Sequence, residues 1–229
     1  MLMKFDKRII LKDPDLIFNH IEHSYFGRMI VWIINSKYRK AVSLSNWIDE
    51  QVKNPDALVQ SMADEITTYE DTDEQVLAVL RYVRYNVTYL GDPNIWKMLE
   101  YWQTSFETAK IKLGDCEDGA ILAYVLCRLK GVHANRVLVF AGDVSGGGHS
   151  WLGYRPTEYP LNWVFLDWCY WPEMSDIETR KKFWIDGTQI REFDNDGNLV
   201  NSNYYSIWFG FNEDQAFEQL NYSINNQVN

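Results

Sequence analysis

The sequence predicts an α+β fold, and three observations carry that prediction. Apolar residues recur at helical spacing through the first half of the chain. After Gly131 the pattern changes to short aromatic and β-branched runs bounded by glycines and turn residues. A cysteine stands at the start of the last strong helix, where helices give way to a mostly antiparallel sheet. With 229 residues, 46% hydrophobic and 15% aromatic, the chain suffices for one sizeable packed domain or a core with an added subdomain.

In chain order, residues 14 to 66 read as helical, with stretches 46–52 and 56–66 separated by Asn54-Pro55. A clearer helix begins near Thr72, where Thr72-Asp-Glu-Gln75 has the form of a capping box. Val76, Leu80, Val83 and Val87 follow on one face, and Tyr89-Leu-Gly-Asp-Pro93 ends the run. Thr104-Ser-Phe-Glu107 is a second capping box, opening a short helix to about Lys112. The third helix starts at Cys116, carries Ala120, Ile121, Tyr124, Val125 and Leu129, and stops at Gly131. Strands are expected at 137–140, 149–154 and 162–168, with a turn at 155–161 and further strands beyond Trp171. The polar tail after Asn212 reads as a helix or as loose chain. The expected organisation is a helical region at 1–70 packed on the core, the core at 71–171, and strands with a tail at 172–229 completing the same domain.

Composition narrows the function. A net charge of −10 argues against nucleic acid, because neutralising phosphates takes clustered Lys and Arg. The longest early apolar run, 29–34, is too short for a signal-peptide core or a bilayer span. No membrane association and a cytoplasmic location are therefore expected. Three unevenly spaced cysteines give no disulfide framework and leave thiols free for chemistry. No metal and no cofactor is expected, since Cys116, His149 and a carboxylate lack a convincing further ligand. Asp194-Asn-Asp-Gly-Asn198 lacks the bidentate Glu of a calcium loop and reads as a turn.

The chemistry-bearing residues are Cys116, His149 and Asp167. A helix N-terminus lowers a thiol's pKa, whereas the neighbours Asp115, Glu117 and Asp118 oppose a thiolate, so a cationic partner is needed. The competing role for Cys116 is a buried structural cysteine. Among four histidines, His149 alone sits between a glycine run, 146–148, and an aromatic strand, beside a flexible, open approach. Its competing role is a structural histidine bonded to a loop carbonyl. Asp167 is a carboxylate inside Trp163-Val-Phe-Leu-Asp-Trp168, where a charge needs a partner; its competing role is a solvent-facing strand residue. A hairpin centred on Glu158 sets His149 directly opposite Asp167. Cys, His and Asp then form an activated nucleophile with its base and orienter.

Gly114-Asp-Cys-Glu-Asp118 at a helix start, Gly148-His-Ser-Trp151 entering a strand and Phe165-Leu-Asp167 on the next resemble the transglutaminase-like superfamily. The lead-in Tyr101-Trp-Gln-Thr-Ser-Phe-Glu-Thr108 is similar to the bacterial and phage branch of transglutaminase-like cysteine proteases, and the resemblance covers about 72–168. It implies a papain-like core, with the cysteine helix on an antiparallel sheet. It also implies a thiol-dependent attack on peptide or carboxamide bonds, with a protein or peptide as substrate. Gln103 is the oxyanion candidate, as papain-like enzymes use a glutamine, though one closer to the cysteine. Trp102, Gly148 and Trp151, with Trp168, suggest an aromatic-walled cleft for substrate. In a calcium-dependent group of similar periplasmic proteases, acidic residues at the positions of Asp115 and Glu117 bind calcium. This chain departs from that group at its start, and capping the helix is the expected role of Asp115. The alternative is a catalytically idle fold of this type serving as a binding or phage-structural module.

Overall fold

The computed structural model describes residues 44–158, 161–170, 176–177, 179–186, 189–194, 196–214 and 216–218. The helical expectation for 14–43 lies outside the described residues.

Helices α1 (Leu44–Lys53) and α2 (Ala57–Glu65) part at Asn54-Pro55, and Asp56 caps α2 by accepting the Leu58 N–H. Helix α3 (Thr72–Asn86) is capped by Asp71, not Thr72; its carboxylate accepts the N–H groups of Asp73 and Glu74. A carboxylate at a helix N-terminus gains from the dipole as well as the hydrogen bond. Gln75 instead reaches back, accepting the Tyr69 N–H and donating to the Thr67 carbonyl. Strand β1 (Thr88–Tyr89), the short α4 (Asp92–Ile95), α5 (Ser105–Ile111) and β2 (Leu113–Gly114) follow, with β1 parallel to β2. The Thr104–Glu107 box forms as read.

Helix α6 (Cys116–Leu129) is the axle of the fold. Every residue from Glu117 to Cys127 is buried, which its nearly all-round apolar character requires. Helices α1, α2, α3 and α5 pack against it from one side, and β3 and β4 from the other. Burying each of Ile121, Leu122, Val125 and Leu126 contributes about 1.5–3 kcal/mol before entropy is counted.

The sheet comprises β3 (Val137–Val144), β4 (Gly147–Tyr154), β5 (Val164–Leu166), β6 (Lys182–Asp186), β7 (Gln189–Phe193), β8 (Leu199–Val200), β9 (Tyr204–Phe211) and β10 (Ala216–Glu218). Its path runs β5-β4-β3-β9-β7-β6, with antiparallel neighbours. Paired backbone hydrogen bonds between Trp163 and Phe183, both 2.8 Å, join the start of β5 to β6 and curl the sheet on itself. Two cores result. One lies between α6 and the sheet; the other fills the curl with Phe140, Trp151, Trp163, Phe165, Phe183 and Tyr204. The Phe165 and Phe183 rings stack there at 4.1 Å.

Three strand-level expectations change. The glycine run is not an open approach: Ser145-Gly146 is the two-residue turn of the β3–β4 hairpin, with Gly146 at φ 124°, and Gly147 already pairs with Val144. The β4–β5 register sets Leu152 against Leu166, so His149 would oppose residue 169 rather than Asp167. A shift of two leaves both side chains on the same face, because strand side chains alternate with period two. In the tail after Asn212, residues 216–218 pair with β9 as β10.

Candidate active site

His149 and Trp151 share one face of β4, and Phe165 and Asp167 share the matching face at β5. His149 and Asp167 therefore meet at the mouth of the aromatic curl despite the altered register. His149 Nε2 lies 2.6 Å from Asp167 Oδ2, with both side chains buried. The carboxylate also accepts the Tyr204 hydroxyl at 2.8 Å and the backbone N–H groups of Cys169 and Tyr170, each at 3.1 Å. Burial alone would raise the Asp167 pKa. The His149 hydrogen bond and charge, with Tyr204 and the Cys169 N–H, outweigh it and hold the carboxyl below its ordinary value. Trp151 stacks on the His149 ring at 5.9 Å, and Tyr170 meets that ring edge-on at 4.6 Å. With Nε2 turned to Asp167, the ring presents Nδ1 as its second nitrogen.

Cys116 occupies the first position of α6 and is partly exposed. Its carbonyl is fastened by Trp168 Nε1–H at 3.1 Å, beside Asp167, and the Ser150 N–H, beside His149, favours negative charge on its sulfur. Gly119 makes this fastening feasible, since a Cβ there would stand 2.1 Å from the Trp168 ring. Asp118 steadies the helix start, accepting the Asp115 N–H at 3.1 Å and the Gln103 N–H at 2.7 Å.

The thiol is not the low-pKa group that its position at a helix start suggests. Burial, then the charges of Asp115 and Cys169, push it well up, while Glu117 and the Ser150 N–H pull the other way. The thiol donates to Glu117 Oε2 at 3.1 Å. Carboxylates crowd this side. Ligand atoms of Asp92, Glu100 and Glu117 lie within 4.8 Å of one another, as do those of Asp92, Asp115 and Asp118. Asp92 Oδ1, Asp115 Oδ1 and Glu117 Oε1 are buried without a hydrogen-bond partner. Burial, then the Asp115 charge, raises the Asp92 pKa to about 8. An all-oxygen donor set with unsatisfied carboxylate oxygens fits a hard divalent cation, although the sequence reading assigned no metal.

The remaining residues read from sequence fall elsewhere. Gln103 directs its amide N–H groups at Asp118 Oδ2 and the Leu113 carbonyl, so it braces the helix start instead of facing an oxyanion. Trp102 is 2% exposed, stacks towards Phe209 and Phe211 and donates to Glu100, so it belongs to the core. Trp151 and Trp168 are also buried, and neither walls a cleft. Gly148 is exposed, but the room its missing Cβ leaves is filled by Trp208, 2.5 Å away. The aromatics that do reach solvent beside the site are Tyr89 and Tyr170, whose rings lie 6.0 Å apart. Sequence reasoning missed both, along with Tyr204. The turn at 194–198 forms as read, Asp194 accepting the N–H groups of Asp196 and Asn198.

The profile of the transglutaminase-like superfamily matches residues 60–168, a span that contains Cys116, His149 and Asp167. This segment belongs to the transglutaminase-like superfamily. Among solved structures, Legionella pneumophila LapG is 16% identical, with a TM-score of 0.49 over 76% of this chain and 87% of that one. Its calcium-bound form is 15% identical, with a TM-score of 0.47 over the same shares, 76% and 87%. A candidate cysteine protease from Cytophaga hutchinsonii is 20% identical, with a TM-score of 0.37 over 62% of this chain and 42% of that one. No curated protein matches the chain significantly. Among the described residues, no helix is long and apolar enough to cross a membrane.

Proposed function

We propose that this transglutaminase-like protein is a thiol-dependent acyl-transfer enzyme acting on peptide or carboxamide bonds, hydrolysis being its main reaction. The observation that carries the proposal is the buried His149–Asp167 pair, 2.6 Å apart, with the helix-start Cys116 held through its carbonyl by Trp168, the neighbour of Asp167. His149 takes the Cys116 proton on Nδ1, and the sulfur attacks the carbonyl carbon. The imidazolium that forms is stabilised by Asp167 and then protonates the leaving amine. A thioester remains, and water, deprotonated by His149, releases the acid and regenerates the thiol. The Ser150 N–H and the N–H groups at the α6 start favour negative charge at the reacting centre. The substrate is a protein or peptide chain.

Asp92, Glu100, Asp115 and Glu117 would hold a calcium-class ion, which supplies positive charge beside Cys116 and offsets the acidic neighbours. The deciding experiment measures hydrolysis of a mixed peptide library, with iodoacetamide labelling resolved by site, for wild type and Cys116→Ala. Library cleavage is expected in wild type and absent in the variant. Cleavage persisting in Cys116→Ala would end the thiol mechanism.

A further inference from the structure

Beyond the triad lies Cys169, a second cysteine that the reaction does not use. Ligand atoms of His149, Asp167 and Cys169 all lie within 4.8 Å of one another. The Cys169 sulfur is 3.6 Å from Asp167 Oδ1, and its backbone N–H is fixed on that same oxygen at 3.1 Å. These contacts hold the thiol on the orienting carboxylate's side of the imidazole. Cys169 is partly exposed, so this cluster is open at its sulfur end, whereas Cys127 is sealed in the core.

The donor set differs in kind from the acidic cluster across the site. That cluster is all oxygen and suits a hard ion. Imidazole nitrogen, carboxylate oxygen and thiolate sulfur together suit a borderline-soft ion of tetrahedral habit. At ordinary zinc bond lengths of about 2.3 Å to sulfur and 2.0–2.2 Å to oxygen, tetrahedral ligands lie roughly 3.5 Å apart. The observed separation of 3.6 Å between Cys169 Sγ and Asp167 Oδ1 already has that value. The His149–Asp167 pair, at 2.6 Å, must open slightly.

We infer that His149, Asp167 and Cys169 form a binding site for zinc-class ions, distinct from the acidic cluster, with water completing the coordination. Binding releases the Cys169 thiol proton to solvent, while the proton His149 shares with Asp167 passes from Nε2 to Nδ1, so that neutral imidazole is the ligand and no oxidant or reductant is involved. The ion takes the base and its orienter away from Cys116, which makes the site inhibitory. That consequence for activity rests on the proposed function; the binding itself does not.

The test uses cobalt(II) as a spectroscopic stand-in, followed by zinc. In full-length Cys116→Ala, cobalt is expected to give a thiolate-to-metal charge-transfer band that added zinc removes and calcium leaves alone. Cys116→Ala/Cys169→Ser and Cys116→Ala/Cys169→Ala should both lack the band. Its absence in Cys116→Ala, or its survival in either double variant, overturns the site. In the wild type, zinc is expected to slow library hydrolysis, and Cys169→Ser should raise the zinc concentration for half-inhibition at least tenfold. If no library is cleaved, the proposed function fails while the cobalt band still decides the site.

Discussion

The sheet side and the helix side of the site treat buried carboxylates in opposite ways. On the sheet side Asp167 accepts from His149, Tyr204 and two backbone N–H groups, and its charge is held. On the helix side Asp92, Asp115 and Glu117 each bury an oxygen with no partner, and burial raises their pKa values, with the charge of neighbouring carboxylates adding to it at Asp92 and Glu117. A satisfied buried charge fixes geometry; an unsatisfied cluster stores a cost that a cation relieves. The orienting half of the site is thus complete in the protein alone, and the nucleophile's half is not.

The largest effect should come from breaking the complete half. Asp167→Asn keeps the shape but favours the wrong imidazole tautomer and removes the charge that stabilises the imidazolium. Turnover is expected to fall about 10²–10⁴-fold, with the fold retained. Turnover and thermal melting of the same preparation check this; unchanged turnover in a folded variant would remove Asp167 from the mechanism.

The joint between the halves comes next. A methyl group at Gly119 cannot coexist with the Trp168 ring, which in turn holds the Cys116 carbonyl. Gly119→Ala is expected to cost about 1–3 kcal/mol by overpacking, despite the roughly 1 kcal/mol that alanine gains in a helix. Denaturant unfolding measures it, and a neutral or stabilised variant would show that Trp168 is not the fastening described. Tyr204→Phe removes one charge-assisted hydrogen bond to Asp167 and should cost less, about 1–2 kcal/mol, with a smaller loss of turnover. A turnover loss as large as that of Asp167→Asn would give Tyr204 a direct part in the chemistry.

Much of this arrangement is legible in the sequence because its signals are local. An apolar run at helical spacing and a glycine stop place Cys116 at a helix start, and a carboxylate among aromatics at 163–168 asks for a partner. The pairing of His149 with Asp167 survives a register error of two because parity, not register, chooses the face. What stays hidden depends on distant chain. Tyr204 joins Asp167 from 37 residues away, and the curl closes through Trp163 and Phe183. Trp102 and Trp151 mislead for another reason. An aromatic signals apolar surroundings, and a sequence does not distinguish a core from a cleft wall. The exposed pair Tyr89 and Tyr170 lies just past the ends of α3 and β5, where periodicity gives no sign of exposure.

The smallest effect carries the opposite sign and is the sharpest test of the contrast. Glu117 is 3% exposed, with one oxygen orphaned and the other accepting the Cys116 thiol, beside Asp115 and Glu100. Glu117→Gln removes one of the crowded charges and supplies an N–H₂ group that a neighbouring carboxylate can accept. In protein stripped of divalent ions by EGTA, the variant is expected to be more stable by about 1 kcal/mol. For a chain of this size that is a rise in Tm of about 2–4 °C. Calcium should raise the Tm of the wild type and leave the variant nearly unmoved, because an ion ligated by fewer carboxylates binds more weakly. Asp167→Asn, melted alongside, should fall in Tm and keep its response to calcium. If Glu117→Gln instead melts lower than the wild type in EGTA, the helix-side carboxylates are satisfied within the protein. The two halves then follow one rule, and the acidic cluster has no call for a cation.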